Sequence, residues 1–169
     1  MADARSWFAR YRVRLGFALA ALVFWLARPS WWSLGIGTAV AAAGEAIRIW
    51  AAGHLEKGRE VTVSGPYRFT RHPLYLGSAV VGFGFAIASA SVMVATLVVV
   101  YLAVTISSAI RSEERHLTEK FGSAYPSYRE GQGPAADRQF SFQRVMANRE
   151  YRAVAGLGVA LALLVWKAR

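Results

Sequence analysis

The chain contains no cysteine. That excludes disulfides, thiolate metal sites and a cysteine nucleophile. Acidic residues are scarce: ten Asp and Glu stand against twenty Lys and Arg, for a formal charge of +10. There are only three histidines, none with a partner at metal-ligand spacing, so no metal site is expected. No Walker-type glycine loop and no GxGxxG occurs, which excludes a soluble Rossmann-type nucleotide-binding domain. The regular alternation of apolar and polar residues found in a soluble domain is missing too. The apolar residues, 55% of the chain, fall in long blocks and give a mean hydropathy of +0.30.

The basic residues lie between those blocks and form no stripe interleaved with aromatics. Nucleic acid is therefore not the expected partner. Anionic lipid headgroups explain the charge better.

Five apolar segments stand out: Leu15–Ala27, Trp32–Ala52, Leu74–Ala90, Val92–Ile110 and Tyr151–Trp166. A helix needs about 20 residues to cross the ~30 Å hydrocarbon core. The second and fourth segments meet that length, the third and first are short, and the fifth could instead lie in the interface. Arg5, Arg10, Arg12 and Arg14 precede the first segment in the manner of a secretion signal. The Arg28-Pro29-Ser30-Trp31-Trp32 stretch that follows offers no small-residue cleavage site, so the segment reads as a retained helix. The expectation is a single all-α domain over residues 1–169, a polytopic membrane bundle of about five transmembrane helices.

Lys and Arg concentrate before the first segment, between the second and third (Lys57, Arg59, Arg68, Arg71) and between the fourth and fifth. The positive-inside rule places these regions in the cytoplasm, with a prokaryotic inner (plasma) membrane as the expected location. The Ala88-Ser89-Ala90-Ser91 stretch is then a tight outer turn. Two crossings separate His72 from Glu113, so the two share a side whichever way the protein inserts.

Three groups could carry chemistry. The first is the block REVTVSGPYRFTRHPLYLG from Arg59 to Gly77, where Gly65-Pro66 marks a turn and Pro73 suits the first turn of a helix. A helix N-terminus there offers N–H groups to an anion. Its alternative is a basic interfacial loop anchored by Tyr67, Phe69 and Tyr75. The second is Arg111-Ser112-Glu113-Glu114-Arg115-His116, where the fourth helix leaves the apolar region. Juxtamembrane acids are costly and tend to be functional, although a solvated helix end with internal ion pairs explains them as well. The third is Glu45 and Arg48, three residues apart on one face and able to neutralise each other as a structural ion pair; the alternative is a contribution to a cofactor or substrate wall.

Taken together, Gly65-Pro66-Tyr67-Arg68, Arg71-His72-Pro73-Leu74-Tyr75-Leu76-Gly77, Glu113-Glu114 and Phe121-Gly122-Ser123-Ala124-Tyr125-Pro126-Ser127-Tyr128 resemble the isoprenylcysteine carboxyl methyltransferase family. The related phospholipid N-methyltransferases share the pattern. The likeness runs from about Arg48 to Tyr128. It implies an integral membrane enzyme that uses S-adenosylmethionine to methylate a lipid or other lipophilic small acceptor, with its cofactor at the cytosolic ends of the core helices. It implies cofactor contacts from Tyr67, His72, Pro73, Leu74, Tyr75 and Gly77, backbone contacts from Glu60-Val61-Thr62, and Glu113 as the cofactor-contacting acid. Glu114 is the nearest candidate base if the acceptor is an amine, and Arg111 is the candidate acceptor contact. Ala109 stands where the protein-carboxyl branch has an arginine, which argues against an anionic prenylcysteine acceptor. The alternatives are a membrane reductase of sterol-reductase type using NADPH, and a non-catalytic protein that binds anionic lipids.

Overall fold

The structure is a computed structural model that describes residues 18–58, 60–122 and 138–169. The N-terminal arginines, Arg59 and residues 123–128 of the motif lie outside the described residues. The described part is helical with no strand. In chain order it comprises α1 (18–26), α2 (Trp31–His54), a 3-10 turn (Gly65–Arg68), α3 (Pro73–Ser89), α4 (Val92–Phe121), α5 (Phe142–Ala147) and α6 (Tyr151–Lys167). By length and composition, α4 is the one described helix that could cross a membrane unaided; α3 is apolar but shorter, at 17 residues.

The helix limits follow local chemistry. Ser30 and Ser33 form a reciprocal capping box that starts α2. Pro73 opens α3 at a position where its missing N–H costs nothing. Ala90, at φ 48°, closes α3 in the left-handed region, and Ser91 then caps α4, so the chain turns tightly between the two helices where the sequence led one to expect it. Helix α4 runs on to Phe121, three turns past the apolar segment ending at Ile110. The Glu113-Glu114 pair therefore sits inside a helix.

Helices α2 and α3 make the closest packing. Gly37 and Gly44 lie seven residues apart on α2, and Gly77 and Gly84 likewise on α3, so each pair occupies one face. The pairs meet antiparallel. A Cβ on Gly84 would sit 2.4 Å from the Ala41 nitrogen, and one on Gly44 would sit 2.8 Å from the Gly77 carbonyl oxygen. In an apolar environment such backbone contact replaces the hydrophobic effect as the source of helix adhesion.

Helix α6 settles the geometry of the fifth segment. Glu150 at its start pairs with Arg48, and Leu164 near its end is buried with Leu34, Ala27 and Ala88. Positions 150 and 164 on α6 thus match 48 and 34 on α2, and α6 runs antiparallel along α2 instead of lying across the bundle. Lys167 then donates to the Phe24 and Trp25 carbonyls, capping the end of α1. The outward faces of α4 and α6 are apolar, with Val99, Val104, Val159 and Leu163 all exposed.

Candidate functional site

The helix ends near Pro73, Phe121 and His54 surround a cavity of about 630 Å³. Three elements build it. The first is the loop after α2. Its course is fixed by Thr62, whose hydroxyl accepts the Glu56 N–H at 3.3 Å, and by the 3-10 turn. Gly65 begins that turn at φ 58°, and any Cβ there would lie 2.6 Å from the buried His54 ring. Glycine is required on both counts. Tyr67, on the same turn, is buried and reaches the cavity wall.

The second element is the start of α3. His72 is the N-cap, with no capping hydrogen bond from its side chain. Pro73 has no N–H, and the Tyr75 N–H is directed to the His72 carbonyl at 3.1 Å. The helix start therefore offers fewer N–H groups than its sequence suggests. What it presents is the row His72, Pro73, Leu74, Tyr75.

The third element is the C-terminal half of α4, which contributes Ala109, Glu113, Leu117 and Phe121 at intervals of four, flanked by Ser112, His116 and Lys120. One helical face therefore lines the cavity. His72 joins the two sequence blocks. Its Nε2 faces a Glu114 carboxylate oxygen at 3.2 Å, and its Nδ1 lies 3.9 Å from Glu113. The Tyr75 hydroxyl also hydrogen-bonds Glu113, and the His72 and Tyr75 rings are 5.8 Å apart.

The placement of the expected site residues is uneven. Glu60, Val61, Thr62, Tyr67, His72, Pro73, Leu74, Tyr75 and Glu113 all line this one cavity. Gly77 does not: its α-carbon faces Gly44 and Arg48 of α2, where the closeness of the two helices uses up its small size. Glu114 does not line the cavity either; it binds His72 and lies 3.6 Å from Arg71. Arg111 is exposed, with its Nε on the Ser107 carbonyl at 3.1 Å, and is not part of the lining. The Glu60 carboxylate turns outward to Arg138 at 2.6 Å.

Sequence reasoning missed Lys57, Leu117 and Lys120, which also line the cavity, as does His116 of the second candidate block. The α4 members were accessible from Glu113 by counting three and four residues along a helix, had the helix been extended past the membrane boundary. Arg48 was expected to pair with Glu45, and it does at 3.6 Å. Its place in the cavity wall agrees with the second reading of the pair, a contribution to a cofactor or substrate wall, whereas its shorter pair with Glu150, at 2.7 Å, carries no sequence signal. Among the described residues, no group of three or more His, Asp or Glu side chains is placed to hold a metal ion.

This arrangement of RHP-type helix start, carboxylate pair and loop can be set beside known proteins. The phospholipid methyltransferase family model matches residues 11–124. The chain belongs to the phospholipid methyltransferase family. The matched span contains every residue of the cavity wall, including the whole of α4, and ends before α5 and α6. Relatives of this phospholipid methyltransferase family member include the cobalt-zinc-cadmium resistance protein CzcN of Cupriavidus metallidurans. It is 31% identical over 130 residues, 71% of this chain and 57% of that one. The nickel-cobalt-cadmium resistance protein NccN of Alcaligenes xylosoxydans xylosoxydans is 31% identical over 88 residues, 51% of this chain and 40% of that one. The chain spans about half the length of the curated relatives it matches. No solved structure matches it.

Proposed function

We propose that this chain is an integral membrane methyltransferase that binds S-adenosylmethionine in the cavity at the His72 end of the bundle and methylates a lipid or other lipophilic small acceptor. The observation that carries this reading is the convergence of two blocks, residues 60–75 and residue 113, on one cavity of about 630 Å³. Small-molecule sites commonly occupy about 300–1,000 Å³. The lining has charges of both signs: Lys57, Arg71 and Lys120 against Glu56 and Glu113. A zwitterionic amino-acid head needs both.

The chain's own residues divide the work. The Glu113 carboxylate accepts hydrogen bonds from an ammonium or from ribose hydroxyls. The faces of Tyr67 and Tyr75 suit a sulfonium cation, and the lysines and Arg71 suit a carboxylate. The cofactor supplies an activated methyl group, so the protein's task is to align acceptor and methyl and to exclude water. Glu114 holds the His72 ring from outside the cavity, which leaves His72 as the wall group able to take a proton from an amine acceptor. Ala109 adds only a methyl to the wall, which suits a neutral or cationic headgroup better than an anionic one.

In this reading α1, α2, α3, α4 and α6 all cross the bilayer, with the cavity on the cytoplasmic side. The antiparallel course of α6 along α2 and the exposed apolar faces of α4 and α6 support five crossings. Exposed Trp25, Trp31, Trp32 and Trp166 gather at the far end, as an interfacial belt would. Anionic lipids are the expected neighbours of the basic cavity side.

The test is transfer of label from methyl-labelled S-adenosylmethionine to a membrane lipid extract by the purified protein, with the labelled product identified by mass spectrometry. Label in a lipid species, lost when Glu113 is replaced by alanine, is the expected result. An unlabelled extract, together with preferential binding of NADPH, would instead favour the reductase class.

A further inference from the structure

The cavity wall is held from a part of the chain that never touches it. Arg48 lines the cavity from α2, and its guanidinium is engaged by three helices. Nη1 donates to the Ser78 hydroxyl and lies 3.5 Å from the Leu74 carbonyl on α3. Nη2 donates to Glu150, the residue before α6, at 2.7 Å. Nε faces Glu45 at 3.6 Å. The Ser78 hydroxyl itself donates to the Leu74 carbonyl at 2.8 Å. Arg48 is thereby tied to the first turns of α3, the stretch that presents His72 and Tyr75.

Glu150 is built for this contact. It is buried, and it follows a corner at which Arg149 adopts φ 61°. A non-glycine residue takes up that region at a cost and only when its surroundings require it. Just before the corner, Asn148 donates to the Ala52 and Leu55 carbonyls, so both Asn148 and Glu150 face α2. No residue beyond 121 lines the cavity among those described, and the family match stops at 124. The link from Glu150 thus reaches the matched span from outside it.

We infer that Glu150 is a positioning residue for the cavity: through Arg48 it fixes the angle at which the His72–Tyr75 turn meets the α4 face. This rests on the methyltransferase reading, whose cofactor site is the one positioned. A charge-assisted pair with a half-buried arginine such as Arg48 orients that group more tightly than a neutral one. Replacing Glu150 by glutamine keeps the volume and weakens the hold. Replacement by aspartate keeps the charge but shortens the reach by a methylene, so the guanidinium must leave either the carboxylate or Ser78.

The experiment is calorimetric titration of S-adenosylhomocysteine into wild type, Glu150→Gln and Glu150→Asp, in lipid nanodiscs well below the melting temperature of each. The expected loss of affinity is about tenfold for glutamine and about threefold for aspartate. A residue that only stabilises the fold would lower the melting temperature and leave the folded protein's affinity at the wild-type value, and that outcome overturns the inference. Should Glu150→Gln not fold, Glu150→Asp decides by the same criterion. Wild-type protein that binds no S-adenosylhomocysteine would overturn the methyltransferase reading, and this inference with it. Wild-type binding with an unaltered Glu150→Asp overturns the positioning role alone.

Discussion

The imidazole Nε2 of His72 lies 3.2 Å from a carboxylate oxygen of Glu114, across 42 residues of sequence and between two different helices. The contact joins the start of α3 to the C-terminal half of α4, and Glu113, one residue earlier, turns to the cavity that the two helices enclose. A short helical step thus separates an acid that faces the ligand space from an acid that orients its neighbour.

Glu114→Gln and Glu113→Gln should consequently differ. Loss of the Glu114 charge loosens the His72 ring and is expected to weaken S-adenosylhomocysteine binding about threefold, while loss of the cavity carboxylate costs about tenfold or more. Titrations of the two variants side by side check this. Equal effects would mean that the two acids act alike.

The glycines separate into two classes with opposite predictions. Gly84→Ala must push α3 away from the Ala41 backbone, and the expected destabilisation is about 1–3 kcal/mol. Gly156→Ala in α6 meets nothing within 4 Å and removes a helix-interior glycine. That change is expected to stabilise by about 0.5–1 kcal/mol. Thermal unfolding in detergent measures both.

The carbonyl end of α2 is satisfied by side chains from the C-terminal region. Arg144 donates to the Gly53 carbonyl at 2.7 Å, and Asn148 donates to those of Ala52 and Leu55. Asn148→Ala leaves those part-buried acceptors without this donor and is expected to cost about 1–3 kcal/mol. The cavity loop beginning at Leu55 should also become more open to protease. Limited proteolysis followed by mass mapping reports where the first cut falls.

Much of this was legible beforehand. Apolar blocks and Pro73 mark the helices, and the helical hairpin expected between His72 and Glu113 returns the chain to one end, where both line the cavity. Gly77 was misleading because its motif neighbours face the ligand space, whereas its own α-carbon is spent on α2. The far half of α4 was hidden because its charge pattern reads equally well as a solvated helix end. Glu150 could not have been found, since a pair spanning 102 residues has no local periodicity to announce it.

The absence of cysteine makes topology easy to test. Single replacements Lys57→Cys and Gln143→Cys should react with a membrane-impermeant maleimide only from the cytoplasmic side, and Trp32→Cys only from the opposite side. Labelling of all three from one side would contradict five crossings.

The central claim is that the cavity between α3 and α4 binds S-adenosylmethionine, and calorimetric titration of the purified protein with S-adenosylhomocysteine tests it most directly. The account predicts saturable one-site binding that falls at least about tenfold in His72→Ala and in Glu113→Ala, with both variants still folded. No binding by the wild type, or binding that neither substitution alters, would contradict it.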